Sequence, residues 1–169
     1  VTSREDSYGV MDHAHETGIN FFDSANVYGW GEDKGLTETI LGEWFAQGGG
    51  RRERTVLATK LYGDMGDWPN DGKLSALNIR RACDASLRRM QTDYIDLYYA
   101  HEDDAAVPMA DALAAFDGLV TAGKVRHIAA SNFTPERLTE ALATSAENGL
   151  ASYIAAQNHY NLMERHDYE

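Results

Sequence analysis

Two kinds of segment alternate along this chain, and that alternation constrains its fold more than any other feature. Short apolar runs that favour β-strands lie at residues 19–23, 55–60, 94–100, 125–130 and 152–157. Longer runs with apolar residues near helical spacing lie at about residues 4–16, 35–47, 74–90, 109–122 and 135–147. The strand runs are apolar almost throughout, which is typical of strands covered on both faces. The order therefore predicts right-handed βαβ units and a parallel sheet covered by helices.

Two architectures share this order, the doubly wound sheet and the (β/α)8 TIM barrel. Polar residues gather at the carboxyl ends of the predicted strands, namely Asp23, Lys60, His101, Ser131–Asn132 and Gln157. Functional residues of TIM barrels lie at that end of the strands. No strand is followed by the G-x-G-x-x-G loop of a dinucleotide-binding doubly wound sheet. We therefore expect residues 1–169 to form a single α/β domain, an incomplete (β/α)8 barrel with about five of the eight strands.

The charge and the cysteine content argue against several classes of protein. Fifteen Lys and Arg residues against 27 Asp and Glu give a formal net charge of −12, which disfavours nucleic acid and anionic membrane surfaces as partners. No apolar run approaches the roughly 20 residues of a membrane span, and the first residues lack the pattern of a signal peptide. Cys83 is the single cysteine, so we expect no internal disulfide and a reducing, cytoplasmic setting. Because Cys83 lies in a helical pattern, packing is its expected role.

A tyrosine, a lysine, an aspartate and a histidine that converge at the carboxyl ends of the barrel strands would form a set of groups for proton transfer. The ordinary pKa of a phenol is about 10, too high for efficient acid–base catalysis at neutral pH. A nearby ammonium favours the phenolate and lowers that pKa, and a carboxylate keeps the ammonium charged and oriented. A neutral histidine can donate a hydrogen bond to a substrate oxygen. Such a set could protonate a carbonyl oxygen while hydride reaches the carbonyl carbon.

Each residue of this set also has a structural interpretation when it is considered alone. Asp23 could cap the loop after its strand, Tyr28 could be an aromatic packed on the rim, and Lys60 could be solvated. His101 could be a surface histidine or a metal ligand, but no second His or Cys stands at convincing ligand spacing, so we predict no metal site. It is the joint placement at successive strand ends that favours a catalytic function.

Several motifs of this chain resemble those of the aldo-keto reductase family, and they occur in the same order. Residues 18–29, GINFFDSANVYG, resemble the best-known signature of the family, which joins its catalytic aspartate to its catalytic tyrosine. Thr59–Lys60 resembles the site of the catalytic lysine, and residues 93–101, DYIDLYYAH, resemble the strand that ends in the catalytic histidine. Ser131–Asn132 and Gln157 match the residues that hydrogen-bond the nicotinamide carboxamide.

The resemblance runs from about residue 8 to the C-terminus. Residues 160–165 resemble most closely the branch that includes bacterial general reductases and potassium-channel β-subunits. The family's first barrel strand and its last two strands, with their helices, have no counterpart in these residues. Those last elements carry the groups that grip the 2′-phosphate of the cofactor, so NADP rather than NAD is an expectation from the family alone.

The family resemblance implies an activity and a role for each residue. It implies a (β/α)8 barrel with NADPH across the carboxyl ends of its strands, and reduction of small aldehydes or ketones to alcohols. Tyr28 would be the general acid, Lys60 paired with Asp23 would lower its pKa, and His101 would orient the carbonyl. Trp30 would form an apolar wall of the substrate pocket, with packing at the rim as an equal alternative.

Two other hypotheses stay open at this point. The chain could be a truncated or channel-β-like regulatory protein that binds partners without catalysis. It could also be an unrelated parallel α/β enzyme whose four residues coincide with the family's set. A half-barrel would expose unpaired sheet edges, so by itself it should aggregate or pair, and oligomerisation stays open.

Overall fold

A computed structural model describes residues 2–166. Five β-strands are present in this part of the chain: β1 (Phe21–Asp23), β2 (Val56–Leu61), β3 (Ile95–Ala100), β4 (Val125–Ser131) and β5 (Tyr153–Gln157). The same residues form six α-helices: α1 (Arg4–Glu16), α2 (Leu36–Ala46), α3 (Arg51–Arg54), α4 (Ala76–Met90), α5 (Met109–Thr121) and α6 (Pro135–Asn148). A 3-10 turn at Gly31–Asp33 lies in the loop after β1.

The strands form one parallel sheet in the order β1-β2-β3-β4-β5. Successive strands are neighbours, and each connection between them contains at least one helix. The result is a half-barrel of α/β type, which confirms the predicted fold class. In the register of the sheet, Lys60 pairs with Tyr99 and Ser131 pairs with Gln157. Within residues 2–166, no helix is long and apolar enough to cross a membrane.

The two faces of the sheet are packed differently. The face toward the helices holds the main hydrophobic core, in which Trp44, Tyr98 and Phe116 are completely buried. Burial of one large apolar side chain stabilises a fold by about 1.5–3 kcal/mol, so this layer supplies most of the stability. The opposite face carries a smaller cluster of four buried residues, Ala58, Leu97, Tyr99 and Ala129. Because side chains alternate along a strand, Lys60 lies on this second face.

Helices α2 and α4 approach each other closely because Gly42 has no side chain. A Cβ atom at this position would clash with the carbonyl oxygen of Arg89. Glu38, also on α2, is completely buried, and it accepts hydrogen bonds from Arg89 Nε at 2.7 Å and from Thr59 Oγ1 at 2.6 Å. A buried carboxylate needs such partners, since desolvation otherwise penalises its charge. The network ties α2 and α4 to the residue that precedes Lys60.

Two local features differ from the sequence-based prediction. β1 begins at Phe21 rather than at residue 19, because Ile19 N donates to Ala14 O at 2.8 Å and closes the end of α1. Helix α3 and the 3-10 turn have no counterpart in the prediction. Both are short and rich in charged residues, so they carry no apolar period that could indicate them.

Candidate active site

The strands bring the predicted site residues to one edge of the sheet. Asp23, Ser131 and Gln157 are the last residues of β1, β4 and β5. Lys60 is the penultimate residue of β2, and His101 directly follows β3. Since the strands are parallel, all five residues share the carboxyl edge of the half-barrel. The topology thus produces the predicted gathering, while the catalytic roles stay predictions.

Lys60 is completely buried, and its ammonium group has close partners. It donates to Asp23 Oδ2 at 2.6 Å and to the carbonyl oxygen of Ser24 at 2.9 Å. Lys60 Nζ also lies 5.6 Å from the centre of the Tyr99 ring, whose π face attracts a cation. The Asp23 side chain keeps 30% of its surface exposed, so the pair reaches the open edge on one side. These partners offset the desolvation of the buried charge and hold the ammonium in one position.

The loop after β1 places Tyr28 beside this ion pair. Asn26 N donates to Lys60 O at 3.0 Å, which continues the pairing with β2 beyond the end of β1. The centre of the Tyr28 ring lies 5.2 Å from Lys60 Nζ and 6.0 Å from the centre of the His101 ring. Within the described part of the chain the Tyr28 hydroxyl has no hydrogen-bond partner, so it can meet a ligand at the edge. Asp23, Tyr28, Lys60 and His101 therefore lie together.

Two glycines allow the loops around Tyr28 to lie this close. Gly29 has a φ of 120°, and a Cβ atom there would clash with the carbonyl oxygen of Asp33. Gly63, in the loop after β2, lies against the buried Val27, and a Cβ atom at residue 63 would clash with Cγ1 of that valine. The lack of a side chain at both positions thus helps to fix the backbone on either side of Tyr28.

The backbone of His101 is held on two sides. Its N–H donates to Leu61 O at 2.9 Å, and its carbonyl oxygen accepts from Asn132 Nδ2 at 2.9 Å. Burial, and after it the ammonium of Lys60, lowers the pKa of His101, while the charge of Asp23 acts in the opposite direction. The lowered pKa favours the neutral imidazole, the state in which one ring nitrogen donates and the other accepts.

The three predicted nicotinamide contacts form one hydrogen-bonded chain. Ser131 Oγ donates to Gln157 O at 2.6 Å, and Asn132 Nδ2 donates to Ser131 Oγ at 3.1 Å. Asn132 has a φ of 57°, a left-handed conformation that asparagine tolerates better than most residues. Gln157 Nε2 donates to Asp23 Oδ2 at 3.3 Å, which connects β5 with β1. Through Asn132 and Gln157, this series of hydrogen bonds extends to the His101 backbone and to the Asp23 carboxylate.

Trp30 lies at the tip of the loop after β1. Its side chain stands beside Tyr28, with 6.2 Å between the ring centres, and the residue is 70% exposed. Its φ of 59° is unusual for a bulky residue, and glycines precede and follow it. Within residues 2–166 this ring is exposed, and both its predicted role as a substrate wall and the alternative of packing at the rim stay predictions.

Comparison with known proteins decides the family. A family model described as "Aldo/keto reductase family" matches residues 1–169. The chain belongs to the aldo/keto reductase family. This confirms the resemblance in the sequence motifs and agrees with the parallel half-barrel. Members of the family generally use nicotinamide cofactors and act on small carbonyl substrates.

Individual relatives match nearly the whole chain. The uncharacterized oxidoreductase YrpG of Bacillus subtilis is 45% identical, over 97% of this chain and 52% of YrpG. Protein tas of Escherichia coli is 35% identical, over 96% of this chain and 54% of tas. A probable voltage-gated potassium channel subunit beta of Oryza sativa is 32% identical, over 98% of this chain and 49% of the subunit. The chain spans about half the length of these curated relatives.

Sequence reasoning missed two features of this aldo/keto reductase site. Tyr99 lies next to Lys60 on the second face of the sheet, and burial, with the charge of Asp23, raises the pKa of Tyr99. The alternation of side chains in β3 could have indicated this placement. The second feature is the buried Glu38, which accepts from the residue before Lys60. The part of the chain that the structure describes contains no group of three or more His, Cys, Asp or Glu side chains that could hold a metal ion.

Proposed function

We propose that this aldo/keto reductase chain supplies the acid–base groups and the nicotinamide contacts of an NADPH-dependent reductase of aldehydes and ketones, as part of one barrel domain. The observation that carries the proposal is the buried Lys60–Asp23 ion pair beside the Tyr28 ring. A buried ion pair is a poor source of stability, because apolar residues of similar volume often stabilise a fold as well or better. A role in chemistry accounts for this pair at a strand end, next to a tyrosine, better than stability does.

Tyr28 is the proposed general acid. Its hydroxyl is not engaged by the described residues, so it can donate its proton to the oxygen of a bound carbonyl. The phenolate that remains is stabilised by the nearby ammonium of Lys60. Asp23 keeps that ammonium charged and fixed, at 2.6 Å. In the oxidative direction the same phenolate acts as the base that removes the proton from the hydroxyl group of the alcohol.

His101 and Trp30 form the proposed substrate side. A neutral His101 ring can donate one hydrogen bond to the carbonyl oxygen and hold it near the Tyr28 hydroxyl. Lowering of the His101 pKa by burial and by Lys60 favours this neutral form. The exposed ring of Trp30 beside Tyr28 would serve as an apolar wall for the rest of the substrate.

The chemistry of Ser131, Asn132 and Gln157 fits a nicotinamide carboxamide. That group needs acceptors for its NH₂ and a donor for its oxygen. The side-chain oxygens of Asn132 and Gln157 can accept, and the second N–H of Gln157 Nε2 can donate, while Ser131 Oγ and Asn132 Nδ2 already donate within the protein. When bound, NADPH supplies the hydride. NADP rather than NAD is proposed from the family, since no residue within 2–166 is assigned to a 2′-phosphate.

Regulation without catalysis is the second candidate function. The observation that favours it is the 32% identity to a probable voltage-gated potassium channel subunit beta over 98% of this chain. Under this alternative the protein would bind a nicotinamide cofactor and a partner protein, and the ion pair would be a remnant of an enzyme.

A turnover assay separates the two functions. The protein at its full length is mixed with NADPH and 4-nitrobenzaldehyde, and the loss of reduced nicotinamide is followed by absorbance. Binding of NADPH is measured in parallel by quenching of tryptophan fluorescence. Saturable turnover is the expected result. Binding of NADPH without turnover of a panel of reactive aldehydes would contradict the proposal and favour the regulator.

A further inference from the structure

An ion pair joins the loop that carries His101 to the start of α6. Arg137 Nε donates to Asp103 Oδ2 at 2.6 Å, and Arg137 Nη2 donates to Asp103 Oδ1 at 2.8 Å. Two such parallel bonds form the fork geometry that a guanidinium offers and an ammonium does not. The two side chains are only 26% and 21% exposed, so solvent screens this pair less than an ordinary surface pair.

Arg137 occupies a position that a helix by itself disfavours for a cation. Helix α6 is capped by Thr134 and begins at Pro135, which places Arg137 in the first turn. The helix dipole is unfavourable for positive charge there. Arg137 Nη1 also donates to Glu140 Oε2 at 2.6 Å within the helix. The need to reach Asp103, rather than the stability of α6, accounts for an arginine at this position.

The ring of His101 depends on its backbone for its position. Within the described residues neither ring nitrogen makes a hydrogen bond, and the ring contact is an edge contact with Tyr28, with 6.0 Å between the centres. We name residues 101–104 the His101 segment. Its anchors to other elements are Leu61 O and Asn132 Nδ2 on the backbone of His101, Arg137 on Asp103, and Leu74 N on Asp104 Oδ2 at 3.1 Å.

Two of these anchors come from one neighbouring stretch of chain. Asn132 follows β4 directly, and Arg137 lies five residues further on. Ser131 directly precedes Asn132. The hydrogen bond from Asn132 and the ion pair with Arg137 therefore connect the His101 segment to the residues that would contact the nicotinamide. We infer that Asp103 and Arg137 are positioning residues, whose ion pair keeps the substrate-orienting His101 in register with Ser131 and Asn132. This inference rests on the proposed function.

The test compares Asp103→Asn with Glu140→Gln in the protein at its full length. The first variant breaks the ion pair to the His101 segment, and the second breaks only the other ion pair of Arg137. We expect Asp103→Asn to lower kcat with 4-nitrobenzaldehyde about tenfold, because misplacement of a substrate-positioning group by about 1 Å can cost up to roughly 100-fold. The KM for NADPH should change less, and Glu140→Gln should match the unaltered protein.

A titration of the His101 ring by NMR distinguishes positioning from mere folding. The charged groups that act on this ring are Lys60 and Asp23, and the ring of Tyr28 contacts it. Its own segment adds Glu102, Asp103 and Asp104, which follow it in the sequence. Burial lowers the pKa of His101, so a loosened segment should let that pKa rise towards its ordinary value. Loss of the Asp103 charge alone would act in the opposite direction. An upward shift in Asp103→Asn, absent in Glu140→Gln, is therefore expected.

Several outcomes would overturn the inference. One is an Asp103→Asn protein whose kcat and His101 pKa are both unchanged, whatever its Tm. Another is a downward shift of that pKa, which would indicate a direct charge effect.

Should Asp103→Asn not fold, Arg137→Lys provides a second test. It keeps the positive charge but loses the two parallel hydrogen bonds, so it should likewise lower kcat and raise the pKa of His101. The exchanged pair Asp103→Arg with Arg137→Asp should recover part of kcat. Absence of turnover in the unaltered protein would instead contradict the proposed function, and the NMR titration would still test the ion pair.

Discussion

Lys60 Nζ lies 2.6 Å from Asp23 Oδ2, and this contact joins the second strand of the half-barrel to the first. Lys60 is completely buried, whereas the Asp23 side chain keeps 30% of its surface exposed. The two partners therefore depend on each other unequally. An aspartate without its lysine can still reach water, but a lysine without its aspartate cannot.

This asymmetry predicts unequal effects of two substitutions on stability. Asp23→Asn leaves a buried ammonium without a counter-charge and should lower the free energy of unfolding by about 3 kcal/mol. Lys60→Met keeps an apolar stem in the same space and should lower it by about 1 kcal/mol or less. Urea denaturation measures both values. Asp84→Asn is the control, since it breaks the half-exposed Lys124–Asp84 pair and should cost under about 1 kcal/mol. Equal losses in the two site variants would contradict the argument.

Tyr28→Phe should abolish most of the turnover and leave the fold intact. General acid catalysis contributes about 10²- to 10⁴-fold, so kcat should fall within that range. Stability should hardly change, because the hydroxyl makes no hydrogen bond within the described residues. Steady-state kinetics and thermal unfolding check the two parts. Tyr8→Phe is the matched control. The Tyr8 hydroxyl on α1 donates a hydrogen bond to Glu43 on α2, and loss of this bond should not alter kcat. Wild-type turnover in Tyr28→Phe would remove Tyr28 from the proposed mechanism.

The lowered pKa of His101 predicts how stability depends on pH. In the unfolded chain a histidine has a pKa of about 6.5, so below that pH the unfolded state binds more protons than the folded state. Stability should therefore fall as the pH drops below about 6.5 and level off below the folded pKa. In His101→Gln this part of the decrease should vanish. Free energies of unfolding measured between neutral and acidic pH provide the test, and the two proteins should run parallel above neutral pH. The same acidic decrease in both would show that other groups cause it.

The arrangement at strand ends could be predicted from the sequence because strand order carries it. Once the runs at residues 19–23, 55–60 and 94–100 predict neighbouring parallel strands, the residues at their ends must share one edge. The short runs also place the strand ends to within about one residue, since β2 ends at Leu61. This is why Asp23, Lys60 and His101, each ambiguous alone, could be placed together by the order of the strands. The placement of Tyr28, five residues beyond β1, rests on the resemblance of residues 18–29 to the family signature.

Contacts made by irregular segments lie beyond such reasoning. Asp103 and Arg137 are 34 positions apart, and neither belongs to a period or a motif that indicates its partner. The contact of Gly63 with Val27 depends on the approach of two irregular loops, which no pattern of residues specifies. The open position of Trp30 likewise follows from a left-handed backbone between two glycines, which sequence patterns do not specify.

Cys83 should be inert towards thiol reagents in the native protein. It lies on the buried face of α4, and burial raises the pKa of its thiol to about 12. The reactive species is the thiolate, which is scarce at neutral pH when the pKa is that high. Iodoacetamide labelling followed by mass spectrometry of the peptide with Cys83 should show modification only in denaturant. Rapid labelling of the native protein would mean that this helix opens locally or that the thiol has a chemical role.

Two helical glycines should respond to alanine with opposite signs. At Gly42 of α2, a Cβ atom would clash with the carbonyl oxygen of Arg89 and come within 2.9 Å of Met90 Cα. These are backbone atoms that cannot rotate away, so Gly42→Ala should lower the free energy of unfolding by about 1–3 kcal/mol. Gly118 of α5 meets nothing within 4 Å, so Gly118→Ala should raise stability by about 0.5–1 kcal/mol through the lower backbone entropy of the unfolded chain. Thermal and urea unfolding of both variants measures the contrast. If Gly42→Ala were as stable as the unaltered protein, the close approach of α2 and α4 would not be a constraint on this fold.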